Sequence, residues 1–410
     1  MTPARSWVLD ELDQTGVLAD LEGTEAIALA GTGLVEVRPE PAGWRLLPRG
    51  RVGSVRIGEV QVDVRPKDKV GLTRMLFLLG YARDPGFVPG TVSAAPDDDL
   101  WPAIAESLVR LARAALGAGV LQGYRGIDDS LRELRGRIRI GDQITRHPGR
   151  MVPIEVSYDE YTSDIPENRL LRGALRRMLA VPRLERGVRS SLAHLDGRLD
   201  GVGIPIPGTR LPTWQPTRLN RHYAPALRLA ELILRNLSAE LGSGGIRTAA
   251  FVVDMAQVYE AFVTTALGEA LARYPGGCQA QYRTRLDDGP GGGGITMYVD
   301  LVHLDGGRPR LVFDAKYKAA SADGAYANAD HYQMLAYCTA LAVPRAWLVY
   351  ARGGPRRVRR IVNTGISVIE YALDLGAAPR VLLAQIDGLA REAWASLDET
   401  VPQALVGATG

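Results

Sequence analysis

Cysteine is nearly absent from this chain. Its 410 residues include two, Cys278 and Cys338, and neither sits in a CxxC pair, so a disulfide framework beyond one bridge is excluded. Histidine is also scarce: there are five, none at HxH or HExxH spacing, and no zinc site is read. No apolar run approaches the length of a membrane span. The opening residues, MTPARSWVLDELDQ, lack the apolar stretch of a signal peptide, so the expectation is a cytoplasmic protein without membrane contact. A GxxxxGK[ST] loop is missing, and no glycine is followed by lysine anywhere. The chain therefore has no P-loop, and any nucleotide hydrolysis it needs must come from another chain. A large charge excess is missing too, with 49 Lys and Arg against 46 Asp and Glu. That balance permits nucleic-acid binding without arguing for it, so such a site must come from local charge.

What is present suits a globular protein of two or three domains. The hydrophobic share is 46%, with 46 glycines and 25 prolines to make turns. Residues 26–67 alternate as strands do, with Gly58-Glu59 as a hairpin turn between 55–57 and 60–64. Helical spacing follows over 73–79 and 101–121. Residues 131–164 return to strand-like text, and a helix spans 166–179 with Pro166 in its first turn. A Pro- and Gly-rich stretch covers 198–217, and a helix covers 224–241. Gly242-Ser243-Gly244-Gly245 marks the main boundary. The last third reads as helix 253–274, strands 279–286, 296–304 and 310–316, helix 330–341 and strand 346–351. The fold class is α+β, divided into 1–125 (β-rich with helices), 126–245 (helical and connecting) and 246–410 (a mixed sheet flanked by helices).

The chemistry concentrates in that last third. Along Leu311-Val312-Phe313-Asp314-Ala315-Lys316, side chains alternate between faces, so Asp314 and Lys316 share one face and Leu311, Phe313 and Ala315 the other. The preceding strand supplies Asp300, and the short Asp305-Gly306-Gly307 turn makes the two strands antiparallel neighbours. Two converging carboxylates repel unless a cation lies between them. Oxygen ligands that leave room for water suit magnesium. Such an ion polarises a scissile phosphate and activates water, and Lys316 offers a point charge to the developing anion. Glu260, in the helix before these strands, is a further candidate ligand or water-holder. A bare DxK is ordinarily an ion pair on a solvated strand; Asp300 and the Glu-bearing helix single this one out.

Asp300 followed by Asp314-Ala315-Lys316 is similar to the PD-(D/E)xK nuclease motif, and the longer text resembles the McrC family. The matching stretches are Val64-Arg65-Pro66-Lys67, residues 161–171 (YTSDIPENRLL), Asp254-Met255 with Tyr259-Glu260-Ala261-Phe262-Val263, Asp314-Ala315-Lys316-Tyr317-Lys318, and residues 332–337 (YQMLAY). One departure is Val299, where the family pattern places proline before the first Asp. The resemblance implies the nuclease subunit of a McrBC-type, modification-dependent restriction system. Catalytic residues would be Asp300, Asp314, Lys316, Glu260 and Gln333. Asp300, Asp314 and Glu260 would be the ligands of Mg²⁺, for which Mn²⁺ can substitute. The partner would be a hexameric McrB-like AAA+ GTPase that binds the GTP; DNA, modified, would be the substrate. Residues 1–125 would dock on the motor and 246–410 would cut. Two rival readings are a self-sufficient nuclease and a non-catalytic adaptor that activates a motor.

Other features attach to this reading. Gln333 and Tyr337, four residues apart, share a helix face, and Lys318 would extend the DxK row. Arg352, Arg356, Arg357, Arg359 and Arg360 are the choice for DNA-backbone contacts. A second cluster, Arg132, Arg135, Arg137, Arg139, Arg146 and Arg150, suits either a partner or nucleic acid. The glycine run 289–294 has no following helix and reads as a hairpin loop rather than a phosphate cradle.

Overall fold

Strict alternation builds the first sheet. In β6 (Val60–Arg65), Val60, Val62 and Val64 are buried while Gln61 and Asp63 are half-buried. The two-residue turn that pairs Ile57 with Val60 carries Gly58 at φ 51°, a conformation glycine adopts without cost. The computed structural model describes residues 5–66, 70–83, 100–241, 247–287, 294–317 and 328–398; Lys67, Lys318 and most of the 289–294 run lie outside them.

The first sheet has the order β1-β6-β5-β11-β10, with β1 (Arg5–Asp10), β5 (Val52–Ile57), β10 (Leu237–Leu241) and β11 (Arg247–Val253). β1 runs parallel to β6 and the other neighbours are antiparallel. A small sheet, β2 (Val17–Ala19), β4 (Gly43–Pro48) and β3 (Val35–Glu40), shares a core with it and with α1 (Gly23–Gly31) through Leu29, Leu34, Leu46, Val55 and Val62.

Helices α2 (Leu72–Tyr81), α3 (Leu100–Leu116), α5 (Pro166–Leu179), α6 (Arg186–Arg198) and α7 (Ala224–Asn236) form the middle layer. Their apolar stripes join one core with α8 (Met255–Leu271), in which Met255, Val258, Tyr259, Phe262, Val263 and Ala266 are buried at helical spacing. Asp254 caps α8 by accepting from the Ala256 and Gln257 N–H groups at 3.0 and 3.2 Å. Between α3 and α5, β7 (Gly123–Leu131), β8 (Arg137–Ile138), α4 (Ile140–Arg146) and β9 (Ile154–Thr162) make an outlying lobe in which α4 buries no residue.

The second sheet has the order β12-β13-β14-β15-β17-β16. Its strands are β12 (Gly277–Arg285), β13 (Thr296–Asp305), β14 (Arg308–Lys316), β15 (Arg345–Tyr350), β16 (Arg357–Arg360) and β17 (Ser367–Ala372). The β12–β13–β14 meander is antiparallel and β14–β15–β17 is parallel. Covered on both faces, β15 reads Ala-Trp-Leu-Val-Tyr without alternation. Leu301, Leu311, Phe313 and Ala315 face the core that includes α8 and α10 (Pro379–Ala395). Val302, Val312 and Leu348 face α9 (Asn328–Leu341).

The mixed α+β class agrees with the sequence expectation, as do most helices and strands of the last third. The helix expected over 224–241 does not run its length. It ends at Asn236, and 237–241 pairs with β11, Leu237 opposite Phe251; sheet pairing overrides the helical propensity of Leu-Ser-Ala-Glu-Leu. The division expected at 245/246 falls between the two strands of the β10–β11 hairpin, and β11 pairs in turn with β5. Helix α4 lies inside text read as strand-like, because it has no apolar stripe to announce it. Among the described residues, no helix is long and apolar enough to cross a membrane.

Candidate active site

Four elements, β13, β14, α8 and α9, bring the chemistry together. The β13–β14 register pairs Leu301 with Phe313, and one step further sets Asp300 against Asp314. Asp300 Oδ2 accepts from the Ala315 N–H at 2.8 Å, which fastens its side chain across the end of the ladder. Asp314 is 1% exposed, with the Lys316 ammonium 2.6 Å from its Oδ2. That ammonium is the carboxylate's charge partner, and their contact lowers the Asp314 pKa against the effect of burial. An ionised carboxylate has about four lone-pair sites, more than one ammonium fills, so a divalent cation could take others.

Helix α8 supplies Glu260, whose Oε1 accepts from Gln281 Nε2 at 2.7 Å. Tyr259 beside it donates to the Val349 carbonyl at 3.3 Å and ties the helix to β15. Helix α9 supplies Gln333, which donates to the Tyr337 hydroxyl at 2.7 Å; that hydroxyl donates to the Tyr298 carbonyl at 2.7 Å. Gln333 is thus one step removed from the carboxylates, holding Tyr337.

The electrostatics mark one shared environment. Burial pushes Asp314 up to about 7, helped by the Asp300 charge and opposed by Lys316. Burial also raises Asp300, against the pull of the Ala315 N–H and Lys316. Glu260 is raised by burial and then by Asp300. Burial works against the Lys316 ammonium, but Asp314, Asp300 and Asp330 more than offset it, and its pKa is raised. Burial lifts Tyr337 to about 12, with contributions from the Asp314, Asp300 and Glu260 charges. The site therefore keeps its lysine charged and holds carboxylates that favour a proton, or a metal, over bare ionisation.

Among the described residues, no three His, Cys, Asp or Glu side chains are drawn close enough to hold a metal on their own. Glu260 is turned to Gln281 instead. Asp300 and Asp314 alone fit Mg²⁺, which binds through one or two carboxylates and keeps several waters. The convergence of these two carboxylates, each raised by burial, supports that fit.

Two participants had escaped notice in the sequence. Asp330, 4% exposed, accepts from the Tyr350 hydroxyl at 2.9 Å and is felt by both Asp314 and Lys316; in the sequence it marks only the start of a helix. Gln281 is the other. It has φ 48° and falls between the Ala280–Leu301 and Tyr282–Val299 pairs, against Asp300. A non-glycine residue in this region costs on the order of 1–3 kcal/mol, and such residues cluster at active sites. Nothing in the local sequence announces it.

The arginines after β15 are largely engaged within the fold. Arg356 pairs with Glu392 and Arg359 with the buried Glu370, and Arg352 and Arg357 also have partners. In the lobe, Arg139 and Arg146 lie within 3.8 and 3.2 Å of buried Glu155, and Arg135 lies 3.9 Å over the Tyr158 ring.

The raised Asp314 predicts a stability gain on neutralisation. Its ordinary pKa is 3.8, and in the fold it is about 7. The folded state thus holds a proton between those values that the unfolded state has lost, and stability falls as pH rises through this window. Asp314→Asn mimics the protonated form. Its melting temperature in chelator should exceed that of wild type by several degrees at pH 8, with the gap shrinking toward pH 5. A variant that melts at or below wild type at pH 8 would contradict the electrostatic picture.

The family model described as McrBC 5-methylcytosine restriction system component matches residues 47–351. The chain belongs to this family. Membership was the expectation raised by the DAKYK and YQMLAY stretches. The most informative structural likeness is to a chain of the refined half-complex from the tetradecameric assembly of Thermococcus gammatolerans McrB AAA+ hexamers with bound McrC. The TM-score is 0.58 at 16% identity, covering 94% of this chain and 99% of that one. At that identity the likeness speaks for the fold. A chain of the cryo-EM structure of the Thermococcus gammatolerans McrBC complex aligns with TM-score 0.37 and 19% identity over 66% of this chain and 89% of that one. No curated protein matches.

Proposed function

We propose that this McrBC-family chain is the McrC-type, DNA-cutting component of a GTP-driven restriction complex. The observation that carries the reading is the buried Asp314–Lys316 pair on β14 with Asp300 fastened across from β13. Asp300 and Asp314 would hold Mg²⁺, which when bound polarises the scissile phosphate and lowers the pKa of its water. Lys316 stays charged and lies where negative charge builds on the phosphate, so it stabilises the transition state more than the ground state. Glu260, with Oε1 held by Gln281, offers Oε2 to an attacking water, and its raised pKa makes it the better proton acceptor. Tyr337, braced by Gln333 and the Tyr298 carbonyl, closes the α9 side.

A partner follows from two features. The chain has no P-loop, and a structural neighbour is described with McrB AAA+ hexamers and bound McrC. The docking surface we assign is the outlying lobe rather than residues 1–125 as a whole. Tyr124, Ile140, Ile144, Met151 and Tyr161 are 77%, 67%, 66%, 86% and 60% exposed there, large apolar side chains that a docked partner would cover.

The test is metal dependence. With a McrB-type partner, GTP and methylated duplex, cleavage should vanish in excess chelator and return with Mg²⁺ or Mn²⁺. Full cleavage in chelator would overturn the two-carboxylate site. Full cleavage without partner or GTP would favour a self-sufficient nuclease.

A further inference from the structure

The β12–β13 ribbon turns over where it passes the site. Leu301 faces the core that includes α8, while Val299, two residues earlier, faces the α9 side. Cys278 and Tyr282 on β12 make the same exchange. In a regular strand, residues two or four apart share a face, so the reversal lies at Gln281 and Asp300, where Gln281 has φ 48°. Beyond it, Tyr282, Met297 and Val299 pack toward α9. Arg283, paired across the ladder with Tyr298, is turned the other way, and Arg285 pairs with Thr296 further along.

That outward row is exposed and cationic. Arg283, Arg285 and Thr296 are exposed, and Tyr298 is 54% exposed. Neither arginine has an acidic partner among the described residues, unlike Arg356 and Arg359 on the opposite side of the sheet. The row begins at Gln281, which holds Glu260, so it is continuous with the catalytic carboxylates. Arg283 and Arg285 stand about 7 Å apart along the strand, a separation at which their guanidinium groups can reach neighbouring phosphates of one DNA strand, whose charges follow at a rise of about 3.4 Å along the helix axis. Guanidinium forks and a phenol hydroxyl suit phosphate oxygens.

From this geometry we infer that the Arg283–Arg285–Tyr298 face of the ribbon is a track for the sugar–phosphate backbone of duplex DNA, leading it to Asp300, Asp314 and Lys316. The inference rests on the DNA-cutting reading of that site. It moves the backbone-binding role from the arginines after β15, of which Arg356 and Arg359 pair with Glu392 and Glu370, to two that have no acidic partner among the described residues.

Binding of a short fluorescent duplex to the full-length chain, followed by anisotropy over a salt series in chelator, tests it. Arg283→Gln with Arg285→Gln should melt like wild type, because both side chains are exposed and neither has an acidic partner among the described residues. Its plot of log affinity against log salt should be shallower by about 1.8, at about 0.9 for each phosphate no longer neutralised. Arg283→Lys with Arg285→Lys retains both charges and should retain the wild-type slope. Arg132→Gln with Arg137→Gln, exposed arginines of the lobe, should leave it unchanged. A glutamine pair with the wild-type slope, a lysine pair as shallow as the glutamine pair, or a loss that follows the lobe variant instead would each overturn the track while leaving the DNA reading in place. A wild-type chain that holds no duplex at any salt would also overturn the track, whereas the DNA-cutting reading stands or falls on metal-dependent cleavage with the partner and GTP.

Discussion

Lys316→Ala is expected to lower DNA cleavage by about a hundredfold or more while leaving the protein folded and metal binding intact. The magnitude follows from the role: one positioned charge facing developing negative charge in a water-poor site supplies several kcal/mol to the transition state. The geometry explains why the loss should fall on turnover rather than on assembly. Lys316 reaches Asp314 at its tip, 2.6 Å away, while the buried face of β14 is built by Leu311, Phe313 and Ala315, which the substitution does not touch. Removing the ammonium also withdraws the main charge that lowers Asp314, so that carboxyl should hold its proton still more firmly. Mn²⁺ binding by calorimetry should therefore persist at high pH and weaken sooner than in wild type as pH falls. Single-turnover cleavage of a methylated duplex with the partner and GTP is the measurement. A variant that cuts like wild type would remove Lys316 from the chemistry. One that neither cuts nor binds metal at any pH would mean that the ammonium is needed to assemble the site.

How much of this was legible in the sequence depends on the range of the interactions. Asp314 and Lys316 could be read because a strand's two-residue period fixes their common face locally, and Asp300 because Asp305-Gly306-Gly307 leaves room for one kind of turn. Family membership was legible because residues such as Asp254, the cap of α8, and Tyr259, bonded to β15, are held by specific geometry. The alliance of β11 with β5 was not legible, since it joins segments far apart in the chain with no local signal. Gln281 was invisible for the same reason. Its left-handed backbone answers to the turn-over of the ribbon and to Glu260, not to its sequence neighbours. The arginines after β15 show what local density leaves out, since the sequence does not reveal that Arg359 and Arg356 pair with Glu370 and Glu392.

That continuity of core decides how cutting and motor activation are best separated. Truncation at 246 would split the β10–β11 hairpin, strip β11 of its neighbours, and bare the face of α8 that packs with the middle helices. Loss of stimulation by such a fragment would say only that it misfolds. Substitution is cleaner. Asp300→Asn with Asp314→Asn keeps volume and removes two raised carboxylates, so folding should survive and stability in chelator should rise. This variant should lose cleavage by on the order of a thousandfold yet raise the partner's GTP turnover as wild type does, because the lobe is untouched. The complementary variant is Ile140→Asp with Ile144→Asp, on a helix that buries no residue. Surface substitutions of this kind usually stay within about 0.5 kcal/mol, so the fold should hold while two charges replace exposed apolar side chains of the proposed docking surface. Stimulation should fall at least tenfold, and GTP-dependent cleavage should fall with it although the catalytic residues are intact. The assay is GTP turnover by the McrB-type partner with each full-length variant. A folded asparagine pair that no longer stimulates would mean that the catalytic centre itself signals to the motor. A lobe variant that stimulates fully would move the docking surface elsewhere.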